Sequence, residues 1–114
     1  MIIPNKIKVA GVTYTVVEKD VVIIDGCSEY LGLCCHSESR IEILSSLSQT
    51  RKEQVFVHEL VHAILNEAGY KEHDEDLVSR FSIIAHQVIL DNPLLDSDTV
   101  EVESKEGVRL EQIN

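Results

Sequence analysis

The hydrophobic period of this chain changes near residue 50, and that change limits the fold more than any other feature. Before it, apolar residues come in short runs and alternations that suit strands. Lys6 to Ala10 and Val12 to Val17 are β-rich runs separated by Gly11, which predicts a tight hairpin. Val21 to Ile24 closes on Asp25-Gly26, a turn signal. Tyr30 to Cys35 and Arg40 to Leu44 complete the strand candidates, with His36 to Ser39 as the polar link. Arg40-Ile41-Glu42-Ile43 alternates as a strand with one wet face does.

After residue 50 the spacing becomes helical. Thr50 with Glu53 reads as a capping box, and a helix is expected from about Arg51 to Ala68. Its apolar stripe is Val57, Val61, Ile64, Leu65 and Ala68, and Gly69 stands where a terminating glycine belongs. A second helix is expected from Asp74, as cap, to about Leu90, with Val78, Phe81, Ala85, Val88 and Ile89 facing the core. Asn92-Pro93 ends it, because proline cannot continue the ladder. Beyond Pro93, Thr99 to Glu103 and Val108 to Gln112 alternate again, which reads as a terminal β-hairpin or an acidic tail. The expected class is α+β: a small twisted N-terminal sheet packed on two helices over residues 1–92, then an acidic extension over 93–114.

Charge narrows the partners. The formal net charge is -10, which repels nucleic-acid phosphates and anionic membranes, so neither is expected as a partner. It suits a cationic partner or a divalent metal equally with plain solubility. No run has the length of a membrane span or the pattern of a secretory signal. The cysteines, Cys27, Cys34 and Cys35, are odd in number, two of them adjacent, and make a poor disulfide framework. A cytoplasmic location follows as the expectation. Cys34-Cys35-His36 has no second cysteine pair to complete a structural zinc site, so the three thiols are read as core or strand residues.

The chemistry lies in His58-Glu59-Leu60-Val61-His62, inside the first helix. Residues four apart share a helix face, so both imidazoles can point at one ion. Zn²⁺ held by two histidines keeps room for water. Glu59, rotated by about 100° from His58, is placed beside the ion, where it can take a proton from metal-activated water as general base. The competing reading, two exposed histidines on a polar face, is weakened by the apolar neighbours Phe56, Val57, Leu60, Val61 and Ala63.

A catalytic zinc site normally has three protein ligands. The extended metzincin pattern would need glycine at Leu65 and histidine at Ala68, so that subclass is excluded. The third ligand is expected at the start of the second helix, among Glu72, His73, Asp74, Glu75 and Asp76. Glu75, three residues before Val78 and six before Phe81, is the first choice. Acids also favour the first turn of any helix, which is the bland account of the same cluster. For a developing oxyanion the available donors are Tyr70, His73, His36, Tyr30 and His86, with His86 expected to be structural. Arg40 to Leu44 could serve as an edge strand for an extended substrate, although an ordinary sheet strand is the simpler reading.

His58 to Ile64, followed by Glu75-Asp76-Leu77-Val78-Ser79-Arg80-Phe81, resembles the ImmA/IrrE-like zinc metallopeptidases, and most of all their short phage and prophage members. The likeness covers roughly residues 1–92 and is specific only at the metal motif. It implies a minimal zincin-like fold, His58, His62 and Glu75 as ligands, and Glu59 as base. Val78-Ser79 departs from the Ala-Asn pair of larger members. The function expected is zinc-dependent hydrolysis of peptide bonds in an intracellular protein substrate. The alternative is a non-catalytic, zinc-stabilised binding or regulatory module on the same fold, which the shortness of the chain favours.

Overall fold

A computed structural model describes residues 1–92 of the chain. It is an α+β fold with eight elements: β1 (Lys6–Val9), β2 (Val12–Lys19), β3 (Val22–Ile24), β4 (Cys27–Tyr30), β5 (Gly32–Cys35), β6 (Arg40–Leu44), α1 (Gln49–Glu67) and α2 (Glu75–Asp91). The hairpin considered after Pro93 lies outside the described residues.

Two short turns build the first half. Ala10 and Gly11, at φ 54° and 83°, close the β1–β2 hairpin, and Asp25 and Gly26, at 50° and 81°, close β3–β4. Successive positive φ values give the mirror-image turn whose twist matches that of paired strands. The main sheet runs β1-β2-β6-β5, with β2 and β6 parallel and the other pairs antiparallel. β3 and β4 form a separate two-stranded sheet.

Two expectations need correction here. Tyr30 to Cys35 is not one strand: the chain breaks at Leu31, leaving Tyr30 in the small sheet and Gly32–Cys35 in the main one. β6 is an inner strand, in keeping with the simpler of its two readings, with β2 on one side and β5 on the other. It has no wet face, however. Glu42 is buried between Ile41 and Ile43, where Arg40 Nε donates to its Oε2 at 2.8 Å. A guanidinium on the same strand is what lets an ionised carboxylate stay there.

Tyr14, Val16, Ile41 and Ile43 pack against Val55, Phe56, Val57 and Ala63 of α1 to make the core. Burying side chains of this size contributes about 1.5–3 kcal/mol each. The Tyr14 hydroxyl reaches through that core to donate to Glu67 Oε2 at 2.7 Å, tying the last turn of α1 to the sheet.

The helix ends are set by short polar residues. α1 starts two residues earlier than expected because Ser48, not Thr50, is its cap, accepting from the Arg51 N–H. α2 is capped as expected: Asp74 Oδ1 accepts from the backbone of Asp76 at 3.0 Å and of Leu77 at 3.4 Å. The apolar stripes are corrected too. In α1, Ile64 and Ala68 are exposed. In α2 the buried positions are Val78, Ser82 and His86, while Phe81 and Val88 face solvent. Polar residues face inward because they have partners there: His86 Nε2 meets Glu53 Oε1 of α1 at 3.1 Å, and the Ser82 hydroxyl donates to the Ser79 carbonyl.

Candidate metal centre

α1 and α2 meet where the first turn of α2 faces the middle of α1. The Asp74 cap starts α2 at Glu75, so that side chain leaves the helix from its first position. Its carboxylate spans both motif imidazoles: Oε1 lies 3.5 Å from His58 Nε2 and Oε2 lies 3.2 Å from His62 Nε2. One donor atom from each of the three residues falls within 4.8 Å of the others. Tetrahedral ligands at about 2.0–2.1 Å from one ion sit roughly 3.3–3.4 Å apart, and each histidine has one Glu75 oxygen at about that spacing. Two imidazoles and a carboxylate are also the donor set of a catalytic zinc site.

The other acids from the start of α2 are committed elsewhere or stay outside. Asp74 caps the helix, Asp76 pairs with Arg80 at 3.0 Å, and Glu72 is exposed. His73, the remaining candidate, contacts the opposite edge of the His62 ring: the two Nδ1 atoms are 2.7 Å apart.

Glu59 points at the sheet and is buried. It lines two adjoining clefts, of about 330 and 520 Å³, that share Tyr30, Gly32, His58 and Glu59. Burial pushes its carboxyl up to about 8, and the nearby charge of Glu75 adds to the shift. A divalent cation beside it acts in the opposite direction. His62 is held below the ordinary imidazole value, first by burial, with His58 and His73 reinforcing and Glu75 opposing. A neutral imidazole is the form that ligates.

Of the donors considered for an oxyanion, Tyr30 and His36 line the clefts. Tyr70 is 63% exposed and lines neither, and His86 is engaged with Glu53. Cys34 stands in the second cleft with its sulfur 3.5 Å from His36 Nδ1. Burial, with the charge of Glu59 next, pushes its thiol up to about 12, so it stays protonated and is a poor ligand near neutral pH. Gly32 was not singled out from the sequence. A side chain there would collide with Val55 Cγ1 and come within 3.2 Å of Glu59 Cγ, and no local pattern signals a contact that depends on tertiary packing.

Residues 27–97, more than half the chain, match the family model described as the IrrE N-terminal-like domain of the M78 peptidases. The chain belongs to that family. The assignment bears out the resemblance carried by the motif and makes the unit a metallopeptidase-like domain, with His58, Glu59, His62 and Glu75 all inside the matched region. Comparison with curated proteins and with solved structures gives no match. No helix among the described residues is long and apolar enough to cross a membrane.

Proposed function

We propose that this member of the IrrE N-terminal-like family is a zinc-dependent peptidase acting on a protein substrate in the cytoplasm. The observation that carries the reading is the Glu75 carboxylate, set across the Nε2 atoms of His58 and His62, with Glu59 buried on the turn between those two histidines. His58, His62 and Glu75 would hold the ion. When bound, Zn²⁺ supplies Lewis acidity that polarises a carbonyl and makes water acidic near neutral pH.

The remaining steps belong to the chain itself. Glu59 takes the proton from the attacking water and passes it to the leaving amine. The clefts on either side of Glu59 receive the substrate. β5 is the outer strand of the sheet beside α1, and Gly32 and Leu33 line the clefts. An extended peptide could therefore add to β5 with its scissile bond over Glu59. The substrate edge is thus assigned to Gly32–Cys35 and not to Arg40–Leu44.

The test is metal content and cleavage on the same samples, using purified chain and a quenched-fluorescence peptide library. Wild type should carry about one zinc, and His58→Ala and Glu75→Ala should lose most of it. Glu59→Gln should keep its zinc and lose about 10²–10⁴-fold in rate. Cleavage by Glu59→Gln at the parental rate would overturn the mechanism. Zinc retained in Glu75→Ala would remove that residue from the ligand set.

A further inference from the structure

His73 is absent from the group of three ligand atoms, yet it makes the shortest contact in the neighbourhood of the site. Its Nδ1 lies 2.7 Å from His62 Nδ1, and its Nε2 lies 2.7 Å from the carbonyl oxygen of Tyr70. The two rings are within 19° of parallel, with centroids 5.0 Å apart. Atoms so close on rings so far apart are only reached edge to edge in nearly one plane. The contact is therefore an in-plane hydrogen bond and not a stack of faces.

The protons on this chain of atoms can be assigned from its end. A carbonyl oxygen only accepts, so His73 Nε2 carries the hydrogen that meets Tyr70. The neutral ring then has a lone pair at Nδ1, which faces His62. Glu75 likewise only accepts, and its carboxylate stands 3.2 Å from His62 Nε2, so the other end is decided by what sits at that nitrogen. With the ion there, Nε2 carries no hydrogen, and His62 supplies the shared one from its own Nδ1.

We infer that His73 is a positioning residue: its Nδ1 accepts from His62 and locks His62 in the tautomer, and the ring orientation, that leaves Nε2 free for the ion. The inference rests on the zinc reading above, since it is the ion that takes the place of the hydrogen on Nε2. The Tyr70 carbonyl is the anchor of the relay, and it is in place because the chain turns back after α1. Tyr70 N–H donates to the Leu65 carbonyl at 2.9 Å, and Gly69 between them takes φ 102°. A backbone carbonyl at the end of an imidazole pair does here what a carboxylate or carbonyl does directly behind many metal-bound histidines. His73 cannot share the ion with His62 Nε2 in this arrangement, since it sits on the far edge of the ring.

The experiment reads the ring nitrogens of His62 by ¹⁵N–¹H correlation in zinc-loaded full-length protein, and zinc affinity by chelator competition. Wild type should show His62 protonated at Nδ1, with that proton slow to exchange. His73→Ala should bind zinc about 10- to 100-fold more weakly with unchanged circular dichroism, and its Nδ1 proton should exchange faster. His73→Asn, whose Oδ1 can accept from the same direction, should restore most of both. Zinc affinity and proton exchange unchanged in His73→Ala would overturn the positioning role while leaving the metal site intact. Wild type that takes up no zinc would sink the metal reading itself.

Discussion

At Gly32 the backbone of β5 runs directly against α1, with the position of a missing side chain occupied by Val55 and, 3.2 Å away, by Glu59 Cγ. Gly32→Ala should therefore act on two things together. Overpacking typically costs about 1–3 kcal/mol, readable as a lower urea midpoint, and the push on Glu59 should lower the cleavage rate with zinc still bound. A second prediction at this scale concerns the proton on Glu59. Its ordinary value is 4.5 and burial raises it to about 8 in the folded, metal-free chain. Between those values the folded state keeps a proton that the unfolded state has released. Stability of chelator-treated protein should accordingly fall as pH rises from about 4.5 to about 8. Glu59→Gln has no such proton, so its urea midpoint should lose most of that slope. An equal slope in both proteins would mean that the Glu59 carboxyl is not the buried acid described here.

Helix α2 owes its start to one side chain. Asp74 accepts two backbone N–H groups, and Glu75 is the next residue, so the cap also fixes where the Glu75 carboxylate leaves the helix. Asp74→Ala should cost about 0.5–2 kcal/mol and weaken zinc binding as the first turn frays, while Asp74→Ser should recover most of both. This cap was legible in the sequence because it is local: an acid before an apolar period, with a proline after its end. The limits of β6, the two glycine turns and the His58–Glu59–His62 spacing were legible for the same reason. The break at Leu31 was not, since nothing within Tyr30 to Cys35 says that its two halves pair with different strands. The parallel pairing of β2 with β6 and the meeting of His73 with His62 are likewise set by packing between distant parts of the chain. Reading apolar residues as inward failed on α2 for a physical reason. His86 is buried because Glu53 meets it, whereas Leu77, Phe81, Ile84 and Val88 form an exposed apolar strip.

Across the molecule, two polar links join α2 to α1 beside the buried Val78, and they differ in kind. At the far end, His86 meets Glu53 in a buried pair that needs no ligand. Burial alone would raise Glu53, but the hydrogen bonds from His86 and Gln49 outweigh it and hold the carboxyl below its ordinary value. That contribution is present above the ordinary carboxylate range and is lost as pH falls through the lowered value. At the near end, Glu75 faces His58 and His62, with Glu59 buried beside them in a chain of net charge -10. Without a cation the polar contacts at this end are imidazole–carboxylate ones at a largely exposed side chain, which contribute little beside the packing of Val78. The sheet is secured independently by its strand pairing and by Tyr14 reaching Glu67. Chelation should therefore loosen the protein from one end of one helix. Amide exchange should rise most over residues 70–79, less over residues 82–90, and least in β2 and β6, by mass spectrometry on matched zinc-loaded and chelated samples. A uniform rise through sheet and helices would mean instead that the ion stabilises the whole cooperative unit, and no change anywhere would mean that these two helices meet without its help.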